Sequence, residues 1–163
     1  MYQPYPTGAQ PPEIERPPVP SQVANAIKVM YLGAATSILG IVIEILTVNA
    51  TKSAIERHSP HLTASQIDAT QHTLIAGSIV GGVIAAALWI FIARNCLGGK
   101  NWARLVGTVL FAICTIDTAG GAIAPLAGAV KLWEVVVWLI GLAAVVLLWR
   151  RPSTEFFTGA GPS

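Results

Sequence analysis

Two carboxylates stand inside apolar stretches of this chain, and they are the residues best placed to do chemistry. Glu44 follows "LGIVI", and Asp117 lies within "FAICTIDTAGG". A charged side chain deep in an apolar helix is costly in a membrane, by at least about 2.5 kcal/mol on insertion scales. Such residues are therefore usually paired, or they mark the path of an ion or a proton. The chemistry to consider is the handling of a cation or a proton.

Further ionisable residues stand at the ends of other apolar stretches, on the side of the membrane that we assign below as outer. Together they form the predicted outer polar cluster, which comprises Glu44, His72, Asp117, Lys131 and Glu134. In a structural interpretation, Lys131 neutralises Asp117 or Glu134, while Glu44 is protonated or hydrogen-bonds to a threonine. In a functional interpretation, the cluster handles a cation or a proton. The sequence leaves both interpretations open.

Other patterns for catalysis or binding are missing from the sequence. It contains no phosphate-binding loop and no His-Glu-x-x-His, Cys-x-x-Cys or Gly-x-Ser-x-Gly motif. His58 and His61 flank Pro60, which would break the helix needed to align them on a metal. Cys96 and Cys114 fall at different predicted depths and should be free thiols. We therefore expect no enzymatic activity, no cofactor and no metal. The basic residues read as interfacial anchors, so no nucleic-acid partner is expected either.

The elements that must position these residues are apolar helices. Hydrophobic residues make up 53% of the chain and charged residues 11%, against about 25% charged in soluble domains. Four apolar stretches, at about 29–48, 73–93, 105–124 and 132–149, are each long enough to cross a hydrocarbon core of about 30 Å. They are apolar all round, which is typical of membrane spans. The predicted fold is all-α, an integral membrane four-transmembrane-helix bundle over 25–150, with the lipid bilayer as its surroundings.

The distribution of lysine and arginine predicts the orientation of the bundle. With four spans, both termini and the connection between the second and third spans lie on one side. That side carries Arg16, Lys28, Arg94, Lys100, Arg104, Arg150 and Arg151, whereas the other side carries Lys52, Arg57 and Lys131. The positive-inside rule then places both termini in the cytoplasm of a cell with this protein in its cell membrane. The long connection 49–72 becomes the outer loop.

The segments outside the spans have their own predictions. Residues 1–24 are rich in proline and should form a disordered cytoplasmic leader. In the outer loop, "TKSAIERH" should extend the first helix until Pro60, and Thr63 or Ser65 could cap the next helix.

The C-terminal residues 151–163 are predicted to be a cytoplasmic tail. Trp149 should lie at the interface, and Pro152 should end the fourth helix. Phe156 and Phe157 could either return to the inner leaflet or remain in the tail.

Small residues recur at helical spacing on three of the spans. These candidate packing residues are Gly33, Ser37 and Gly40 on the first span, Gly77 and Gly81 on the second, and Gly107 and Gly121 on the third. Small side chains let two membrane helices approach closely. We interpret them as packing residues inside the bundle, with dimerisation through Gly77 and Gly81 as the alternative.

The leader rich in proline and tyrosine, the four short spans, the inner loop "GGKNWAR" and the tail "RPSTEFF" together resemble a group of small actinobacterial integral membrane proteins. The resemblance covers most of the chain in layout and these two stretches in residues. It implies the same membrane architecture and brings with it no activity, cofactor or site residue.

Two functional classes remain. The leading expectation is a non-enzymatic structural, scaffolding or accessory membrane protein that acts by helix packing, with a second copy or a larger membrane protein as its partner. The alternative is a small transporter or an ion- or proton-coupled carrier that uses the outer polar cluster. Short connections and the lack of an inverted repeat in the sequence argue mildly against transport.

Overall fold

Helices account for nearly all of the chain that the structure describes. The computed structural model describes residues 18–121 and 128–159. Its helices are α1 (Ser21–Leu46), α2 (Val48–His58), α3 (Ala64–Leu97), α4 (Asn101–Gly121), α5 (Gly128–Leu148) and α6 (Arg151–Thr158). Of these, α1, α3, α4 and α5 are long and apolar enough to cross a membrane. The predicted fold class is therefore confirmed. The prediction of disorder in the leader falls mostly on residues 1–17, which lie outside the described residues.

The first helix begins earlier than the apolar run that predicts it. Residues 21–24, which the sequence assigns to the leader, form the first turn of α1, and Val23 is fully buried. At the other end, α1 stops at Leu46, and the Thr47 hydroxyl donates to the Ile43 carbonyl at 2.7 Å. A threonine hydroxyl bonded in this way competes with the helical backbone pattern. The chain resumes at once as α2, on a new axis.

The outer loop is folded into a helical hairpin. We call α2 and residues 64–72 of α3 the outer hairpin. The Thr63 hydroxyl accepts from the Gln66 amide, and the Gln66 side chain accepts from the Thr63 amide, which is a capping box that starts α3. Of the two caps that the sequence allows, Thr63 is the one used. Because α3 has 34 residues, about 51 Å at 1.5 Å each, its first turns stand outside the membrane.

Polar contacts join the two halves of the outer hairpin. Lys52 Nζ lies 2.6 Å from Asp68 Oδ1, and Gln71 Nε2 donates to the Val48 carbonyl at 3.0 Å. The hydrogen bond to Asp68, together with the negative charge of that carboxylate, raises the pKa of the Lys52 ammonium above its ordinary value. A raised lysine pKa means that this contact is present at neutral pH and is lost only as the pH rises through the alkaline range. The pair is exposed, so its contribution to stability is small.

The spans do not pack evenly. Helix α1 has the most extensive contacts, with α3 on one side and α5 on the other, whereas α4 packs mainly on α5 and touches α3 less. Helix α4 is therefore the peripheral span. The fully buried core lies towards the end of the bundle where α1 begins; among its members are Val23, Ala93, Cys96, Ala103 and Leu148.

The tail folds beneath this core as a sixth helix. Helix α5 ends at Leu148, and Pro152 lies in the first turn of α6, where its missing N–H is not needed. The prediction that Pro152 ends the fourth helix thus places the break too late. Phe157 is only 6% exposed and joins the core cluster, so this end of the tail returns to the bundle. Ser153 Oγ ties α6 to α5 through the Leu147 carbonyl at 2.7 Å.

Candidate functional site

An apolar cleft of about 320 Å³ runs between the spans. Met30, Ile92 and Leu148 form its deep end, and Ser37, Cys114 and Asp117 lie towards the other end. Along α4 the cleft extends from Gly107 to Asp117, which is roughly 15 Å at 1.5 Å per residue. We call the Asp117 end the mouth of the cleft.

Two aromatic side chains form much of the cleft wall, and glycines create the room for them. A Cβ built on Gly33 would lie 2.7 Å from Trp89 Cε2, so α1 can accept the indole ring only at a glycine. A Cβ built on Gly141 would lie 2.8 Å from Phe111 Cδ2. The Phe111 ring in turn packs against Trp138 with 5.8 Å between ring centroids. Trp89 and Phe111 are therefore held in place from both sides.

The mouth of the cleft is acidic. Asp117 lines it, and Glu134 of α5 lies within electrostatic range of Asp117, Glu44 and Lys131. The Glu134 carboxylate packs against α4 at a glycine, because a Cβ built on Gly121 would lie 2.7 Å from Oε2. Four helix-borne ionisable groups thus gather at this end, three of them carboxylates.

Glu44 is the most buried of these groups. Its side chain is only 7% exposed, and its carboxyl group makes no hydrogen bond or ion pair with any residue in 18–121 or 128–159. The threonine that follows it, Thr47, uses its hydroxyl on backbone carbonyls instead. A buried carboxyl group without a partner is costly and is a common feature of functional sites.

His72 stands apart from the other members of the predicted outer polar cluster. It lies on α3, and the charge that it affects is that of Asp68, one turn earlier in the outer hairpin. The described residues contain no group of three His, Cys, Asp or Glu side chains that could hold a metal ion together. Cys96 and Cys114 are free thiols, as the sequence predicts.

The small residues of α1 and α4 lie against neighbouring side chains. Besides Gly33, a Cβ on Gly40 would meet Trp133 Nε1 at 2.9 Å, and one on Gly107 would meet Ile92 Cγ2 at 3.4 Å. Ser37 Oγ donates to the Gly33 carbonyl at 2.9 Å, which leaves a small surface on this turn.

The glycines of α3 give a different result. A Cβ built on Gly77 or on Gly81 would meet nothing within 4 Å, so neither packs inside the described bundle. The glycine that α3 uses against α1 is Gly82, where a built Cβ would lie 2.7 Å from Ile41 Cγ1 and 3.2 Å from the Ser37 carbonyl oxygen. The prediction that Gly77 and Gly81 pack within the bundle is therefore wrong. Adjacent residues on a helix point about 100° apart, and the sequence does not reveal which of two neighbouring glycines faces α1.

Sequence reasoning also missed Trp89, Phe111 and Gly141. The pairing of a large aromatic residue with a glycine on another helix is a signal that could have suggested them, but it requires the helices to be aligned in depth. Comparisons of the chain with models of protein families, with curated proteins and with solved structures find no match.

Proposed function

We propose that this integral membrane protein is a non-enzymatic accessory or scaffolding protein that packs one face of α3 against a helix of another membrane protein or of a second copy. We define the free α3 face as Thr73, Gly77 and Gly81, three small residues at steps of four. The cell membrane, with both termini in the cytoplasm, is its proposed location. A small actinobacterial membrane protein of the kind that the sequence resembles is consistent with this role.

The observation that carries the proposal is the empty space beside Gly77 and Gly81. Gly33, Gly40 and Gly82 all lie against a side chain of another helix in the same chain, whereas these two glycines do not. In lipid, helices associate by van der Waals packing and not by hydrophobic burial, so small residues four apart favour association. A Gly-x-x-x-Gly pair directed away from its own bundle is suited to a helix from outside it.

A single substitution on the free α3 face tests this proposal. Gly81→Leu should remove the partner while leaving the chain folded, because leucine would hold a neighbouring backbone away. Val83→Leu is the matched control, since Val83 is exposed on the same helix but points about 200° around it from residue 81. The measurement is affinity purification from native membranes with mass spectrometry, together with crosslinking of differently tagged copies. Association that survives Gly81→Leu as well as Val83→Leu would contradict the proposal.

A second candidate function is a small transporter or an ion- or proton-coupled carrier. The burial of Glu44 without a hydrogen-bond partner in the described chain, and its position within electrostatic range of Glu134, favour this candidate. An alternating mechanism would need the carboxylates to bind and release a cation.

Glu44→Gln separates the two candidates. Under the accessory role we expect a variant that is as stable as the parent chain, because a neutral side chain of the same shape replaces a buried acid without stranding a charge. Neither protein should then show a pH-dependent ion flux in proteoliposomes. A flux in the parent chain that disappears in a normally folded Glu44→Gln variant would establish the carrier instead.

A further inference from the structure

We propose that the apolar cleft is a binding site for a lipophilic organic cation, with Trp89 and Phe111 against its apolar groups and the carboxylate of Asp117 at the mouth balancing its charge. This site is separate from the free α3 face and does not depend on it. The ligand class follows from the shape, the charge and the access of the cleft.

The shape suits a small organic molecule. A volume of about 320 Å³ falls at the lower end of the range for small-molecule sites, about 300–1,000 Å³, which are mostly apolar with a few polar groups that fix orientation. Here the walls are aliphatic and aromatic, and the polar groups among the lining residues, Ser37 and Asp117 with the Cys114 thiol, lie towards one end. A ligand in the cleft would therefore have one apolar body and one polar end.

The charge at the mouth selects a cation. Asp117, Glu44 and Glu134 bring three carboxylates near one ammonium, that of Lys131. Electrostatic attraction is much stronger in a site shielded from water than at a solvated surface. Asp117 is the carboxylate that lines the cleft itself, so it is the one that a bound cation would meet first.

The aromatic walls add a second attraction for the same ligand. A cation within about 6 Å of an aromatic face is stabilised by the ring, by about 2 kcal/mol when both are desolvated. The chain already uses this interaction at its other end, where the Arg104 guanidinium lies 4.3 Å from the Trp149 ring centroid. The glycines that hold Trp89 and Phe111 fix these rings at the cleft without a ligand present.

Access is lateral, from the lipid. The side chains at the rim, Leu88 of α3 and Ile113 of α4, are 38% and 57% exposed, and these two helices touch each other less than other neighbouring spans do. A lipophilic cation concentrates in the membrane and would reach the cleft from there. A lipid acyl chain would fit the walls equally well but has no use for Asp117, which makes it the rival occupant.

The test compares two ions of nearly the same size and opposite charge. Tetraphenylphosphonium and tetraphenylborate are each titrated into the purified full chain in nanodiscs of zwitterionic lipid, with empty nanodiscs as the blank. We expect saturable binding of tetraphenylphosphonium and no saturable binding of tetraphenylborate. Asp117→Asn should weaken tetraphenylphosphonium binding by at least about tenfold, since one partner of a shielded charge pair is lost, whereas Asp117→Glu should retain it.

A second pair of variants locates the bound ion. Ala85 lines the cleft and Ala87 is exposed elsewhere on α3, so Ala85→Phe should abolish binding and Ala87→Phe should not. Asp117→Asn preserves side-chain volume, so it still tests the site where Ala85→Phe lowers the folded yield. Binding of tetraphenylphosphonium that survives both Ala85→Phe and Asp117→Asn would mean partition into lipid and would overturn the proposal. Equal binding of both ions, removed by Ala85→Phe, would make the cleft an acyl-chain site and overturn it too.

Discussion

A leucine in place of Gly82 is expected to prevent the bundle from folding stably, whereas a leucine in place of the neighbouring Gly81 should be tolerated. A Cβ at residue 82 would lie 2.7 Å from Ile41 Cγ1 and 3.2 Å from the carbonyl oxygen of Ser37. The Ile41 side chain can rotate, but the Ser37 carbonyl is backbone and can move only with α1. Because α1 and α3 form the most extensive helix contact in the described chain, shifting one against the other would disturb the whole bundle.

The expected loss for Gly82→Leu is about 3 kcal/mol or more, at the upper end of what overpacking a membrane or soluble core costs. Gly81→Leu is a closely matched control, since it adds the same side chain one residue away into open space. The measurement is folded yield and thermal unfolding in a mild detergent, where the free α3 face has no partner. If Gly82→Leu melts at the temperature of the parent chain, the proposed register of α1 against α3 is wrong.

The second large effect is expected at Arg104, which holds α6 against the bundle. This arginine is only 5% exposed. Its guanidinium lies 4.3 Å from the centroid of the Trp149 ring and 5.4 Å from that of Phe157, and Nη1 donates to Thr154 Oγ1 at 3.1 Å. In the described chain, no carboxylate pairs with it, and Nε has no hydrogen-bond partner. The aromatic rings therefore carry most of its stabilisation.

Arg104→Ala should lower the free energy of unfolding by roughly 3 kcal/mol, from the loss of desolvated cation–π contacts and of the buried side-chain stem. It should also release α6, which faster tryptic cleavage after Arg150 would report. Arg94→Ala is the control, because Arg94 is exposed near the same end of the bundle. Arg104→Met should lose less than Arg104→Ala, since it keeps the stem and removes the buried charge. Equal losses at residues 94 and 104 would show that the aromatic cage contributes nothing.

The sequence alone determined the membrane architecture of this protein. Four runs such as 73–93 are apolar all round and long enough to span, and no other environment satisfies both properties. Local chemistry determined the outer hairpin in the same way, since Pro60 stops one helix and the side chain of Thr63 starts the next. The gathering of ionisable residues near Glu44 also followed from counting helical residues along each span.

Only the tertiary structure decided which residues face one another. A helix that is apolar on every side carries no moment to show which face is buried, so Gly81 and Gly82 were equivalent until α1 was placed beside α3. The cleft has the same origin: Trp89 occupies the space left by Gly33, a contact between distant parts of the chain that depends on matched volumes at one depth. Hydropathy records how much a residue prefers lipid to water, and complementary shape between two helices leaves no trace in that quantity.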